Sequence, residues 1–181
     1  MIRPLHPTEI FLQPGDHFFA DRDTRIRTVL GSCVSMTFWH PHLLVGGMCH
    51  YMLPERGSER RAEDWPVPDG RYADEAVALM LKKMDRVGVP HKEYQVKLFG
   101  GGNMFPHTHH KNKNAPSPIG SMNAKAAQRL IKQHGFTSVA EHLGGIGYRN
   151  VIFEVWNGEV WVKHCHVQTQ VENKLINRRL G

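Results

Sequence analysis

The sequence predicts an α+β fold, a single domain of mainly antiparallel, sandwich-like β-sheets flanked by two main helices. Several short segments alternate apolar and polar residues and follow one another as hairpins, which is typical of antiparallel sheets. Two longer segments carry apolar residues at three- and four-residue spacing and end at a glycine, as amphipathic helices do. The 181 residues contain no evident second-domain boundary, so we expect one domain over residues 1–181 with its core at about 20–168.

The composition favours an ordinary soluble globular protein. Hydrophobic residues make up 40% of the chain and charged residues 22%, and no apolar run is long enough to cross a membrane. The first residues lack the apolar core of a signal peptide, so we expect a cytoplasmic protein without membrane insertion. The three cysteines are irregularly spaced, which argues against a disulfide framework and makes a reactive thiol worth considering.

The net charge of +6 comes from separate small groups of lysine and arginine. A basic surface can bind nucleic acid or an acidic protein. Because the charge is scattered and no nucleic-acid-binding motif is recognisable, a solvated surface is the favoured interpretation, and we expect no nucleic-acid partner.

The first half of the chain predicts strands that lead into a hairpin. Residues 16–20 and 25–30 are the first predicted strands, and a short apolar anchor at residues 10–12 precedes them. Residues 31–39 and 45–54 are the two arms of the predicted hairpin, joined by a short segment that contains proline.

The second half of the chain mixes helices and strands. The predicted elements are a helix over 72–87 ending at Gly88, a strand over 94–99, a helix over about 123–134, a short strand over 140–143, and a hairpin whose strands, 151–156 and 160–164, flank a two-residue turn at Asn157-Gly158. Ser121 or Asn123 would cap the second helix, and Gly135 would end it. The charged segment 55–71 predicts a long loop or lid, and 105–120 an exposed loop.

The predicted hairpin carries a candidate catalytic pair. If its tip is a two-residue loop at Pro41 and His42, residues whose numbers sum to 83 pair, and Cys33 lies opposite His50 with Cβ atoms about 5 Å apart. That separation would let the thiol and the imidazole share a proton, as a cysteine nucleophile requires. The glycine–serine break before Cys33 suggests that its backbone N–H faces an open cleft, where it could hold an oxyanion.

A structural role for these residues is the alternative. A buried cysteine in a strand is usually a small core residue. Cys49 is a poor competitor for catalysis, because adjacent strand residues face opposite sides and it adjoins His50. Cys165, which lies between two histidines, has the same limitation. In the catalytic interpretation, Thr28, Ser32 or a backbone carbonyl would orient the imidazole.

Two further motifs do not predict a cofactor. Gly100-Gly101-Gly102 lacks the patterns of nucleotide-binding loops, so it indicates a close approach of backbone around a cleft. The histidines at positions 107, 109 and 110 fit no common zinc spacing, so an exposed loop is favoured over a metal site. We therefore expect neither a metal nor an organic cofactor.

Five short motifs follow one another along the chain: Leu30–Val34, His50–Pro54, Arg71–Asp74, Lys97–Met104 and Leu143–Gly145. In this order they resemble the CheD family of bacterial chemotaxis proteins, which deamidate glutamines on chemoreceptors. Each motif is weak alone, but together they span roughly residues 24–165. The resemblance implies a receptor glutamine deamidase that hydrolyses glutamine side-chain amides to glutamate and ammonia through a cysteine thioester, without a cofactor.

The resemblance also implies roles for individual residues. Cys33 matches the nucleophile of the family and His50 its histidine, and Thr28 is the candidate for a threonine that the family uses upstream of the cysteine. The segment 55–71 would form part of the cleft wall. Gly147-Tyr148-Arg149 departs slightly from the Gly-Arg usually found after this glycine cluster. The candidate substrate-binding residues are Ser32, Gly100, Gly101, Gly102 and Asn103.

The implied substrate is the cytoplasmic helical domain of methyl-accepting chemotaxis receptors. This domain is typically acidic, which suits an enzyme with a net charge of +6. In some bacteria the family also binds the CheC phosphatase, which inhibits deamidation. Three alternatives remain: a non-catalytic adaptor that binds receptors or a CheC-type phosphatase, a nucleic-acid-binding domain, and a thiol protease.

Overall fold

The computed structural model describes residues 3–56, 67–104 and 118–166. These residues form nine strands, two α-helices and one 3₁₀ turn (His91–Glu93). The elements are β1 (Thr8–Phe11), β2 (His17–Ala20), β3 (Thr24–Leu30), β4 (Val34–His40), β5 (Val45–Tyr51), α1 (Ala73–Val87), β6 (Gln95–Gly100), α2 (Ile119–Gln133), β7 (Ser138–Leu143), β8 (Tyr148–Glu154) and β9 (Glu159–Cys165). Among these described residues, no helix is long and apolar enough to cross a membrane.

The strands form two mixed sheets. The first sheet has the order β1-β3-β8-β9 and the second the order β2-β5-β4-β6-β7. The neighbouring strands are antiparallel except in the pairs β1–β3 and β6–β7. The predicted fold class, mainly antiparallel sheets with two helices, is confirmed.

The two sheets pack face to face, and the helices cover the far side of the second sheet. Every residue of β4 is buried because one of its faces meets the helices and the other meets the first sheet. In β3, by contrast, inward and outward residues alternate between buried and more exposed, as expected for a sheet with one solvated face. The space between the sheets is therefore an apolar interior that residues of both sheets can reach.

The helices form largely as predicted, but α2 begins earlier. Helix α1 buries an apolar stripe and ends at Gly88, which adopts φ 78°, a left-handed conformation that costs glycine little. Helix α2 follows Pro118 and begins at Ile119, so Ser121 and Asn123 lie inside the helix and do not cap it. The prediction of an asparagine or serine cap was wrong because Pro118, with its fixed φ, ends the preceding segment.

Both predicted hairpins exist, but their turns are longer than predicted. In the first, His40 pairs with Val45, so paired residue numbers sum to 85 and the two-residue loop at Pro41 and His42 is wrong. The Leu44 N–H donates to the His40 carbonyl oxygen at 2.9 Å and closes a four-residue turn. In the second hairpin, Glu154 pairs with Glu159, and Val155 and Trp156 are buried in the turn and not in the strand.

The N-terminal segment holds a strand that the sequence did not predict. Residues 8–11 form β1, which pairs in parallel with β3, where only an apolar anchor was expected. Most of the predicted lid at 55–71, most of the predicted exposed loop at 105–120 and the histidines at 107, 109 and 110 lie outside the described residues.

Candidate active site

A hydrogen bond between the two sheets joins Thr28 and His50. Thr28 lies on the inward face of β3, and His50 lies on β5; each is 2% exposed. Thr28 Oγ1 lies 2.8 Å from His50 Nδ1. Because β3 belongs to the first sheet and β5 to the second, the bond exists only when the sheets are packed together.

The Thr28 hydroxyl fixes the tautomer of His50. Its oxygen also lies 2.8 Å from the carbonyl oxygen of Leu12, which can only accept, so the hydroxyl donates to Leu12. The Nδ1–H of His50 must then donate to Thr28 Oγ1, and Nε2 of the neutral ring carries the free lone pair. Nε2 is buried and has no hydrogen-bond partner in the described parts of the chain. The imidazole is thus held in place with one basic nitrogen available.

Burial favours the uncharged forms of both His50 and Cys33. Desolvation lowers the pKa of His50 from 6.5 to about 4, against the opposing effects of the Leu12 carbonyl and the Asp16 carboxylate. Desolvation also raises the pKa of the Cys33 thiol above 9.0, although its own backbone N–H favours the thiolate. At neutral pH, a neutral thiol and a neutral imidazole are therefore the resting species.

Cys33 lies immediately before β4, on the same side of the second sheet as His50. The residue that pairs with His50 is Ser35, so the predicted direct pairing of Cys33 with His50 is wrong. A register difference of two residues keeps every side chain on its face. Cys33 packs against the apolar cluster between the sheets, where Thr28 meets His50. Continued by one residue, the ladder would place Cys33 diagonally from His50 on the same face, a position at which Cα atoms are typically about 7–8 Å apart.

Hydrogen bonds hold the backbone on both sides of Cys33. The carbonyl oxygens of the segment Gly31–Cys33 all accept, and their donors are Gly102 N at 2.8 Å, Asn123 Nδ2 at 3.0 Å and Gly101 N at 2.8 Å, in that order. The N–H of Cys33, by contrast, meets no acceptor on any other residue that the structure describes; it lies beside its own sulfur. The segment is therefore rigid, and within the described parts of the chain it presents a backbone donor that no other residue uses, next to the thiol.

The glycines at 100–102 pack directly against this segment. Gly100 and Gly101 adopt φ values of 114° and 66°, which side chains disfavour. A Cβ at Gly100 would overlap the carbonyl oxygen of Cys33, and one at Gly102 would overlap that of Gly147. This is the close backbone approach that the triple glycine predicts.

A cavity of about 390 Å³ adjoins the glycine segment. Gly101 and Asn103 line it, and α2 contributes Lys125. Of the other predicted substrate-binding residues, Gly100 and Gly102 are buried beside Cys33 and Ser32 is half-buried before it; none of these three lines the cavity. Gly101 belongs both to the cavity wall and to the backbone that holds Cys33.

Asn123 is the site residue that the sequence reasoning missed. It is fully buried in α2, and its Nδ2 donates to the carbonyl oxygens of Ser32 at 3.0 Å and Met52 at 2.6 Å. The sequence feature that could have identified Asn123 is its spacing from the buried residues of the helix. Asn123 lies three residues after Gly120 and seven before Leu130, within the buried stripe of the helix. A polar residue in such a stripe indicates a specific buried partner.

The two other cysteines lie away from His50. Cys49 is fully buried on the helix side of the second sheet, and burial raises its pKa to about 12. Cys165 ends β9 at the edge of the first sheet, opposite Tyr148. Of the three cysteines, Cys33 is the one that packs against the apolar cluster between the two sheets.

The chain also matches a model of a known protein family. A family model described as "CheD chemotactic sensory transduction" matches residues 52–164, which contain both helices and both glycine clusters. The match begins just after His50, so it includes neither Cys33 nor His50.

"Probable chemoreceptor glutamine deamidase CheD" of Pseudomonas savastanoi pv. phaseolicola (strain 1448A / Race 6) is 48% identical over 182 residues, covering 100% of this chain and 99% of that protein. Its namesake from Pseudomonas fluorescens (strain SBW25) is 47% identical over 164 residues, with 91% and 89% covered. "Probable chemoreceptor glutamine deamidase CheD 1" of Leptospira interrogans serogroup Icterohaemorrhagiae serovar copenhageni (strain Fiocruz L1-130) is 38% identical over 165 residues, with 90% and 96% covered. The chain belongs to the CheD chemotactic sensory transduction family.

Proposed function

We propose that this protein is a chemoreceptor glutamine deamidase in which Cys33 is the nucleophile, His50 the general base and acid, and Thr28 the group that orients His50. The observation that carries the proposal is the hydrogen-bonded series from His50 Nδ1–H to Thr28 Oγ1 and from Thr28 to the Leu12 carbonyl. It leaves His50 Nε2 free, on the side of the sheet where Cys33 lies. Curated relatives that cover this chain carry the same activity in their names.

The first half of the reaction forms a thioester. His50 Nε2 takes the thiol proton as the Cys33 sulfur attacks the glutamine amide carbon, since both groups rest uncharged. The carbonyl oxygen becomes an oxyanion, and the unpaired N–H of Cys33 is the nearby donor that can stabilise it. The imidazolium then gives its proton to the amide nitrogen, the carbon–nitrogen bond breaks, and ammonia leaves.

The second half hydrolyses the thioester. Neutral His50 takes a proton from water, whose oxygen attacks the thioester carbon and forms a second oxyanion. The carbon–sulfur bond breaks, and the sulfur recovers a proton from His50. The products are glutamate on the receptor and the free Cys33 thiol.

Backbone groups supply most of the proposed substrate contacts. Gly101, whose N–H holds the Cys33 carbonyl, and Asn103 line the cavity next to the glycine segment, and Lys125 adds a positive charge to its wall. Ser32, Gly100 and Gly102 act by shaping the backbone around Cys33. We place the substrate glutamine on the cytoplasmic helical domain of the receptor, whose acidic surface suits a protein of net charge +6. A CheC-type phosphatase is a further proposed partner, and the cytoplasm the proposed location.

Mass spectrometry of receptor peptides tests the proposal. Incubation of a chemoreceptor with the native protein is expected to convert particular glutamines to glutamates, with the mass increase of amide-to-acid conversion. Cys33→Ala should leave the peptide masses unchanged. If receptor peptides have equal masses after incubation with the native protein and with Cys33→Ala, the protein is not a deamidase, and the interpretation as a non-catalytic adaptor is favoured. Cleaved receptor fragments in place of mass-shifted peptides would indicate a thiol protease.

A further inference from the structure

Asn123 connects helix α2 to both arms of the hairpin that carries the candidate pair. Its Nδ2 donates to the carbonyl oxygen of Ser32, directly before Cys33, and to that of Met52, two residues after His50. Asn123 is 0% exposed, and both donor hydrogens of its amide are used.

The amide itself is the feature of Asn123 that requires explanation. Its Oδ1 is buried and has no hydrogen-bond partner in the described structure. An apolar side chain would fill this position in the stripe of α2 without such an unpaired oxygen, which is unfavourable. The Tyr51 hydroxyl donates to the main-chain oxygen of Asn123 at 2.7 Å and fixes the helix at the same level. The side chain of Asn123 is therefore placed to use its Nδ2.

Holding the Ser32 carbonyl also orients the N–H of Cys33. The two groups belong to one peptide unit, which is planar and trans, so they point in opposite directions. The carbonyls on either side are already fixed by Gly102 and Gly101. Asn123 supplies the remaining bond, and without it the Ser32–Cys33 peptide could rotate and turn its donor away from the reacting carbon.

We propose that Asn123 is a positioning residue that orients the Cys33 N–H toward the oxyanion by holding the Ser32 carbonyl. This inference rests on the proposed deamidase function and extends it to a residue in the helical layer. It assigns the residue an effect on the transition state, because the oxyanion forms only there.

The experiment compares Asn123→Ala with Ala127→Gly as a matched control. Ala127 is a buried residue of the same helix, so its change to glycine loosens α2 without touching the Ser32 carbonyl. Loss of an oriented oxyanion donor is expected to lower kcat for receptor deamidation roughly 100-fold, with KM changed less than about threefold. Ala127→Gly should lower the unfolding temperature and leave kcat near that of the native protein.

The rate of Cys33 alkylation distinguishes a variant that has lost only the orientation of the Cys33 N–H from one in which the whole segment around the thiol is disordered. Iodoacetamide reacts with the thiolate and forms no oxyanion at a tetrahedral carbon, so Asn123→Ala should keep an alkylation rate within about threefold of the native rate. Mass spectrometry of the Cys33 peptide distinguishes this thiol from the other two cysteines.

Asn123→Asp gives a second test that depends on pH and keeps the shape of the side chain. Burial beside two carbonyl oxygens raises the pKa of the introduced carboxyl, and only its protonated form can donate to the Ser32 carbonyl. The ratio of its kcat to the native kcat should therefore rise as the pH is lowered from about 8 to about 6.

Three outcomes would overturn the inference. One is an Asn123→Ala protein whose kcat falls no further than that of Ala127→Gly, or an Asn123→Asp protein whose kcat relative to the native kcat does not rise as the pH is lowered. Another is a loss of Cys33 alkylation in parallel with kcat, which would mean that Asn123 only holds the thiol. The third is a native protein that deamidates no more than Cys33→Ala, in which case the proposed function fails and the inference with it. In the first two outcomes the native protein still deamidates, so the inference fails alone.

Discussion

At the residue scale, we expect Thr28 to act by orienting His50 through its hydroxyl group, more than by filling space with its side chain. Thr28→Val keeps the branched shape but removes the acceptor of His50 Nδ1–H and the donor to the Leu12 carbonyl. We expect kcat to fall by roughly 10–100-fold, the range typical when the hydrogen-bond partner that orients a metal-binding histidine is removed. The free energy of unfolding should fall by about 1–3 kcal/mol because two buried polar groups lose their partner.

Thr28→Ser is the matched control, since it keeps the hydroxyl and loses one methyl group. Its kcat should stay within a few-fold of the native value in the receptor deamidation assay, and denaturant unfolding gives the two stabilities. If Thr28→Val and Thr28→Ser lose equal activity, the hydroxyl does not orient His50.

How far the sequence determines the site differs from residue to residue. Cys33, His50 and Thr28 were named from the hairpin pattern and the family motifs, and the structure brings Thr28 and His50 into contact. The register was wrong by two residues, but an even error leaves Cys33 on the correct face. Asn123 could not be recognised in the same way, because its acceptors lie 91 and 71 residues away in the sequence.

At the element scale, turn lengths were the least predictable feature. The Asn157-Gly158 dipeptide is typical of a two-residue turn, but Val155 is held by the Trp39 indole and by the Thr24 carbonyl and so leaves the strand. The helix end at Gly88 was predictable because glycine there satisfies a local requirement of the backbone. Contacts with distant segments decide the turns, and local pattern decides the helix end.

The glycine segment after β6 gives the element-scale prediction. Gly100 and Gly88 both adopt positive φ, but a Cβ at Gly88 meets nothing within 4 Å, whereas one at Gly100 overlaps the Cys33 carbonyl. Gly88→Ala should cost about 1–2 kcal/mol, the strain of the left-handed conformation alone. Gly100→Ala should cost about 1–3 kcal/mol more, because the Cys33 segment must also move.

Denaturant unfolding and the receptor assay together test this prediction. Gly88→Ala should keep native kcat per folded molecule, while Gly100→Ala should lose most of it, since the displaced carbonyl belongs to the residue that carries the thiol. Equal kcat values for the two variants would show that the Gly100 approach is structural only.

At the scale of the whole molecule, the site depends on all three layers. Thr28 comes from the first sheet, His50 from the second and Asn123 from the helices that cover it. Each group is placed by packing between layers that are distant in sequence, so the site cannot form before the sheets and helices pack. Its buried imidazole therefore ties the protonation of the site to the stability of the entire fold.

The free energy of unfolding should decrease as the pH is lowered, because His50 is buried as a neutral ring. Its pKa is lowered to about 4 in the folded protein, whereas the unfolded chain has the ordinary value of 6.5. Between these values the unfolded state binds the proton and the folded state does not, so this part of the stability is present above pH 6.5 and is lost as pH falls through about 4. The difference corresponds to about 3 kcal/mol.

Denaturant unfolding should show this loss in the native protein, whereas His50→Gln, which cannot titrate, should lose about 3 kcal/mol less over the same range. Parallel stability curves for the two proteins would mean that His50 is not buried as a neutral ring.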